Sequence, residues 1–181
     1  MKRPDPSALA RDLVATAISI AAETGGSACH QAALAYAQVT PNQRERRSIL
    51  NILARKASEA DLLTLMDLVQ TEAFQGQEAW SVYLAALDND NHAPVAWRKF
   101  QADFDAVIAR TPEIRKAQTA GLVANFCEAD AIDDAIAFIE SKAGLIPGYE
   151  RRLAQASESA RLCAAFRAEK ADELAQAVLA R

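Results

Sequence analysis

Residues 94–110 read PVAWRKFQADFDAVIAR, and this stretch decides the fold. Trp97, Phe100, Phe104, Val107 and Ile108 recur at spacings of three and four, which places them on one face of a helix. Pro94 stands where a helix opens, because its missing N–H is one of the donors that the first turn leaves unpaired anyway. The segment before it has the same character. Trp80, Tyr83, Leu84 and Leu87 line one face of a predicted helix over 77–87, and the turn cluster Asp88-Asn89-Asp90-Asn91 separates the two. The aromatic residues are concentrated in this pair. Their spacing makes them mostly core, and a member left partly exposed is a candidate anchor for a partner.

Working outward, the same 3.6-residue period covers the rest of the chain. Toward the N-terminus a helix is predicted from about Ser7 to Glu23, with Leu9, Leu13, Ala17 and Ile20 on one face and Gly25-Gly26 as its stop. A second runs from about Ala28 to Val39. Thr40-Pro41-Asn42-Gln43 reads as the cap of a third, over about 41–56, and Ser58 to Asp61 as the cap of a fourth with Leu62, Leu65, Met66 and Val69 inward. Toward the C-terminus Thr111-Pro112 opens a seventh helix to about Phe126. An eighth covers 129–142 with Ile132, Ile136 and Ile139. Pro147-Gly148 makes a turn, and a ninth and tenth follow over 149–168 and 171–179. No stretch alternates as a strand does. Ten helices joined by short loops pack as antiparallel neighbours. The expected fold is therefore all-α: one domain over 1–181, an α-solenoid of HEAT/armadillo-like helix pairs. The residues of a tetratricopeptide repeat do not recur at its period, so the repeat is structural rather than textual.

Composition agrees. Of 181 residues, 51% are apolar, enough to bury a core, and only six glycines and six prolines are present, too few for a turn-dense β protein. The net charge of −4 supplies no global field toward nucleic acid or an anionic membrane. No apolar run has the length of a membrane span. Lys2 and Arg3 precede an apolar stretch over 13–22, but Asp5, Arg11 and Asp12 interrupt the outline of a leader, so the stretch reads as a helix. Cytoplasmic location is the expectation. Three cysteines, Cys29, Cys127 and Cys163, stand far apart among small and apolar residues and read as free, buried thiols.

Catalytic motifs do not assemble in this sequence. A zinc peptidase motif needs two histidines one helical turn apart with a glutamate to activate water. Here the only histidines are His30, followed by Gln31, and His92, followed by Ala93. His30 reads as a surface or half-buried helix residue and His92 as part of the turn before Pro94. No nucleophile elbow and no glycine-rich phosphate cradle followed by lysine is present. Glu128, Asp130, Asp133 and Asp134 surround a helix N-terminus, where negative charge complements the dipole. Arg44, Arg46, Arg47, Arg55 and Lys56 form a basic cluster, but Glu45 interrupts it and aromatic stacking partners are lacking, so it reads as solvated helix surface. On the ninth helix Arg151, Arg152, Arg161 and Arg167 interleave with Glu150, Glu158 and Glu169 as a salt-bridge-laced surface.

Two longer stretches carry a family likeness. AWRKFQADFDAVIAR at 96–110 resembles the Trp/Phe helix in the C-terminal helical domain of zinc aminopeptidases of the aminopeptidase N group, the domain shared with the endoplasmic-reticulum aminopeptidases. GLVANFCEADAIDDAIAFIESKAGLIPGYERRLAQASESARLCAAFRAEKADELAQAVL at 121–179 continues it, through Phe126-Cys127, Phe138, Gly148, Arg152-Leu153 and a closing helix with Glu158, Arg161, Leu162 and Cys163. Residues 15–95 resemble the preceding helix pairs more loosely. The resemblance implies a superhelical cap that closes over a catalytic domain and walls the substrate chamber. It places the zinc motif and the residues that hold the substrate N-terminus in earlier domains, so no catalytic, metal or cofactor residue is carried onto this chain.

The functional expectation is thus a non-catalytic C-terminal cap domain. Its partner is a catalytic domain in cis, with zinc expected only there, and no nucleic acid or membrane partner is implied. The alternative is a standalone helical scaffold that binds a protein or peptide in its concave face, and a DNA-binding helical repeat rests on the basic cluster alone. Trp97, Phe100, Phe104, Glu158 and Arg161 are the candidate interface or packing anchors. If the chain is an excised piece rather than encoded alone, its first helices have lost a neighbour. An apolar stripe drawn from Leu9, Leu13, Ile18 and Ile20 is then exposed or used for self-association.

Overall fold

A computed structural model describes residues 13–89 and 91–179, and among them the chain is all helical with no strand. In chain order these are α1 (Val14–Thr24), α2 (Gly26–Val39), α3 (Gln43–Lys56), α4 (Glu59–Leu68), α5 (Gly76–Leu87) and α6 (Ala93–Arg110). There follow α7 (Glu113–Lys116), a 3₁₀ segment (Ala117–Asn125), α8 (Ala129–Ser141), a short 3₁₀ turn (Ala143–Leu145) and α9 (Glu150–Leu179). The start of the predicted first helix, 7–12, and Asp90 lie outside the described residues. The chain divides into two compact units, Met1–Arg110 and Thr111–Arg181.

In the first unit α3 packs against α1, α2 and α5, and α5 packs in turn against α6. The core takes Ile49, Leu50 and Leu53 from α3, Leu62, Leu65 and Met66 from α4, Tyr83 from α5, and Phe100 and Phe104 from α6, each essentially removed from solvent. These are the inward positions of amphipathic helices, and each fully buried large side chain stabilises by about 1.5–3 kcal/mol before entropy is counted. Three of the loops are each fixed by a polar side chain. Asn42 caps α3, its Oδ1 accepting from the backbone N–H of Arg44 at 3.1 Å and of Glu45 at 3.2 Å. The cap is therefore Asn42, not Thr40. Pro41 lies before the helix, and the Thr40 hydroxyl donates instead to Glu45 at 3.3 Å. Ser58 caps α4 as expected, its hydroxyl accepting from the Asp61 N–H at 3.3 Å. Buried Asn89 donates to the carbonyls of Ala54 and Ala57 at the end of α3 while its Oδ1 accepts from the N–H groups of Asn91 and His92, so one amide ties off α3 and starts α6.

The turn between α4 and α5 is held from α6. The Arg110 guanidinium donates to the carbonyls of Val69, Thr71 and Phe74. There α5 begins at Gly76, and a Cβ built on it would lie 1.9 Å from the Arg110 carbonyl oxygen. Only hydrogen fits, because the obstructing atom is backbone. Gly76→Ala is expected to lower unfolding stability by about 1–3 kcal/mol, the usual range for overpacking, and urea unfolding followed by circular dichroism reads it.

In the second unit the 3₁₀ segment lies along α9, and α8 packs on both. Its core is Ala120, Leu122 and Val123, Ile132, Ala135 and Ile139, Ile146, and the narrow stripe Leu153, Ala156 and Ala160 of α9. The predicted seventh helix is instead a single α-turn continued as 3₁₀. Thr119 and Gly121 weaken α-helix there, and the longer rise of a 3₁₀ helix spreads the same residues along α9. Gly121 faces that helix closely, since a Cβ built on it would lie 3.6 Å from Arg152 Cδ. The predicted ninth and tenth helices are one. The sequence Ala168-Glu169-Lys170-Ala171 contains strong helix formers and no stop, so nothing interrupts α9.

Candidate interaction surface

The two histidines are far apart in role. His30, on α2, is buried at 4% exposure rather than lying on the helix surface. Burial in an apolar surrounding pulls its pKa down, and the neighbouring Asp61 carboxylate opposes this. The Asp61 carboxylate accepts from Ser27 Oγ at 2.6 Å and Ser58 Oγ at 2.8 Å. Burial raises its pKa, but those two hydroxyls and His30 outweigh it and hold the group below the ordinary carboxylate range. Both hydroxyls therefore donate to the carboxylate and stabilise its charged form. His92 sits in the turn before α6 with its Nδ1 3.9 Å from Glu59. Among the described residues no three histidine, cysteine or acidic side chains are grouped to hold a metal.

His30 has a pH consequence. Its folded pKa lies below the unfolded value of about 6.5, so the unfolded chain binds the extra proton first. The contribution of this site is complete above about pH 6.5 and declines as pH falls below it toward the folded pKa. Denaturant midpoints measured between about pH 7 and pH 5 are expected to fall for the natural chain, and to fall less for His30→Leu.

Most of the basic cluster is engaged within the first unit. Arg46 makes a two-pronged pair with Glu78, Nε to Oε1 at 2.6 Å and Nη2 to Oε2 at 3.1 Å. Arg55 meets Asp88 at 3.2 Å and Lys56 meets Glu23 at 3.5 Å. Arg44 and Arg47 line a polar depression with Gln43, Gln75, Gln77 and Glu78 where the N-termini of α3 and α5 meet. A second network joins α4, α5 and α6. Lys99 Nζ lies 2.5 Å from Asp67 and 2.9 Å from Asp103, and the Tyr83 hydroxyl donates to Asp103. Burial and then Asp103 push the Tyr83 phenol far up, so it stays protonated. Burial lowers the Lys99 pKa, but the two carboxylates outweigh it and hold the ammonium charged.

The candidate anchors fall into two sets. Trp97, Phe100 and Phe104 are buried in the first unit, where the Phe100 ring lies 5.5 Å from both Trp97 and Phe104 and 5.9 Å from Tyr83. Glu158 and Arg161 are exposed on α9. They border a shallow apolar depression with Ala154, Ser157 and Leu162, and Arg161 reaches toward Asp133 of α8 at 3.7 Å. The sequence reading missed Phe166, which is 61% exposed one turn beyond Leu162 at 65%; the i, i+4 spacing of the two was the available signal. Leu13, just before α1, and Ile20 on α1 are exposed and Ile18 is half-buried, while Leu9 lies outside the described residues.

The cysteines correct the sequence reading. Cys127 and Cys163 form a disulfide across Cα positions 5.2 Å apart, and Cys29 alone is a free, half-buried thiol. Their separation of 36 residues hid this, because the fold brings the loop after the 3₁₀ segment against α9. Beyond Ala160 every described side chain of α9 is exposed or half-exposed. The disulfide, with Arg161–Asp133 and Arg167–Glu128, ties that half of the helix to the start of α8.

Among the described residues the chain is a set of packed helices whose loops and ends are tied by caps and ion pairs. No described helix is long and apolar enough to cross a membrane. A family model described as the ERAP1-like C-terminal domain matches residues 1–162, and the chain belongs to that family. This is the aminopeptidase-type C-terminal domain that the resemblance at 96–110 and 121–179 implied. No curated protein matches the chain.

Proposed function

We propose that this chain serves as a cap: it packs on the catalytic domain of a zinc aminopeptidase and walls the chamber in which peptides are cut. The family match over residues 1–162 carries the reading. A solenoid-like arrangement of the helices and a peptide-facing concave surface are parts of it. Zinc and the chemistry belong to the catalytic domain, and this chain supplies area, shape and charge. No nucleic-acid role is part of the proposal; Arg46, Arg55 and Lys56 are engaged with Glu78, Asp88 and Glu23 of the same unit. A cytoplasmic setting fits poorly with the Cys127–Cys163 bond, since disulfides persist in oxidising surroundings; of the two indications the bond is the more direct.

The test is a comparison of an aminopeptidase catalytic module with and without this domain. With it present, cleavage should depend on peptide length, and without it long and short peptides should be cut alike or the module should lose activity. An unchanged length profile contradicts the cap. The second reading, a scaffold for a free protein partner, is favoured by the exposed Leu162 and Phe166.

A further inference from the structure

We propose that the depression where α3 and α5 begin binds one dianionic phosphate group, held by Arg44 and Arg47. Its walls are Gln43, Arg44 and Arg47 of α3 and Gln75, Gln77 and Glu78 at the start of α5. Its volume is about 180 Å³, well under the roughly 300–1,000 Å³ of clefts that enclose a whole drug-sized ligand. It therefore has room for a small ion or for one charged end of a larger molecule.

The two cations stand where the helix by itself disfavours them. Arg44 is the second residue of α3 and Arg47 the fifth. The first turn of a helix carries the positive end of the dipole, so a guanidinium there is a cost unless an anion accompanies it. Arg46 has such an anion in Glu78. At the far end of α3, Arg55 and Lys56 have Asp88 and Glu23. Arg44, exposed, and Arg47, half-exposed, have no acidic partner among the described residues. Glu45, their neighbour in sequence, and Glu78, their neighbour in the wall, are both engaged. The Glu45 carboxylate accepts from the hydroxyls of Tyr36 and Thr40. Glu78 is 3% exposed, and its carboxylate accepts two bonds from Arg46 and one from the Gln75 N–H. That charge is thus balanced, and the depression keeps the positive charges of Arg44 and Arg47 in a chain whose net charge is −4. The same Arg46–Glu78 pair joins α3 to α5, so the two walls are held together without a ligand.

Phosphate suits this arrangement better than carboxylate. A carboxylate has one charge and two oxygens, and a two-pronged bond to one guanidinium uses both. A phosphate monoester has three oxygens and about −1.5 to −2 of charge at pH 7, enough to face both arginines. The amides of Gln43 and Gln77 add N–H donors at the rim. No aromatic side chain lines the depression, and the rest of the basic cluster is paired, so the surface fits a single phosphate rather than a nucleic-acid strand.

Isothermal titration calorimetry of the full chain with inorganic phosphate, at fixed ionic strength, should show one saturable site. Arg44→Gln and Arg47→Gln should each weaken it several-fold, and the double variant should lose it while keeping its helical circular dichroism. Arg55→Gln removes the same charge about 12 Å further along α3 than Arg47, beyond the screening length of about 8 Å at physiological salt, and should leave binding intact. A phosphoserine peptide, compared with its unphosphorylated form, distinguishes the sources of the group. Tighter binding than inorganic phosphate assigns the site to a phosphorylated partner, and equal binding assigns it to the free ion. No saturable binding of either probe overturns the proposal. So does a site that survives the double variant, an equal loss in Arg55→Gln, or acetate bound as tightly as phosphate.

Discussion

Glu78→Ala should destabilise the first unit by about 3 kcal/mol, at the lower end of the range for breaking a buried ion pair. The carboxylate is 3% exposed and accepts three hydrogen bonds, two from the Arg46 guanidinium and one from the Gln75 N–H at 2.9 Å. Removing it leaves a half-buried cation on α3 without its partner and an unsatisfied donor at the start of α5. The Arg46 side chain keeps 17% exposure, so water relieves part of the charge, which sets the lower figure. Glu78→Gln keeps an acceptor for Gln75 and should cost less. Urea unfolding of both variants checks the order. Equal losses would mean that the acceptor kept by glutamine contributes nothing and that the charge carries the whole effect.

Breaking the Cys127–Cys163 bond should cost the second unit a comparable amount, about 4 kcal/mol when the closed loop is treated as lost chain entropy. The bond spans 36 residues and ties α9 just beyond Ala160, its last buried position among the described side chains. Cys163→Ser is therefore expected to lower hydrogen-exchange protection in α8 and in α9 beyond Ala160 while protection in α3 and α5 is retained. Dithiol treatment of the natural chain should reproduce it. Unchanged protection in both experiments would show that the ion pairs Arg161–Asp133 and Arg167–Glu128 suffice.

The helical class and most core positions are legible in the sequence because burial here follows local periodicity. Leu62, Leu65, Met66 and Val69 are read from spacing alone, and all four are buried. The same is true of Trp97, Phe100, Phe104, Val107 and Ile108. What is not legible depends on distant residues. Thr119 and Gly121 signal weak helix, but only contact with α9 selects 3₁₀ geometry. His30 carries no local mark of burial, since α2 is covered by α1 and α3. The disulfide joins segments whose neighbourhoods resemble ordinary thiol environments. Of the candidate anchors, the aromatic set is recognisable as core from period. Glu158 and Arg161 lie on an exposed face whose apolar members, Leu162 and Phe166, are read only once the end of the packed stripe at Ala160 is known.

The central claim is that this polypeptide contributes packed helices and contact area, with peptide-bond chemistry supplied by another domain. It is tested most directly by assaying the purified chain for aminoacyl-reporter hydrolysis while measuring bound zinc in the same sample. Background turnover and far less than one zinc per chain are expected. Turnover that survives further purification and disappears on substitution of a side chain within these 181 residues would contradict it.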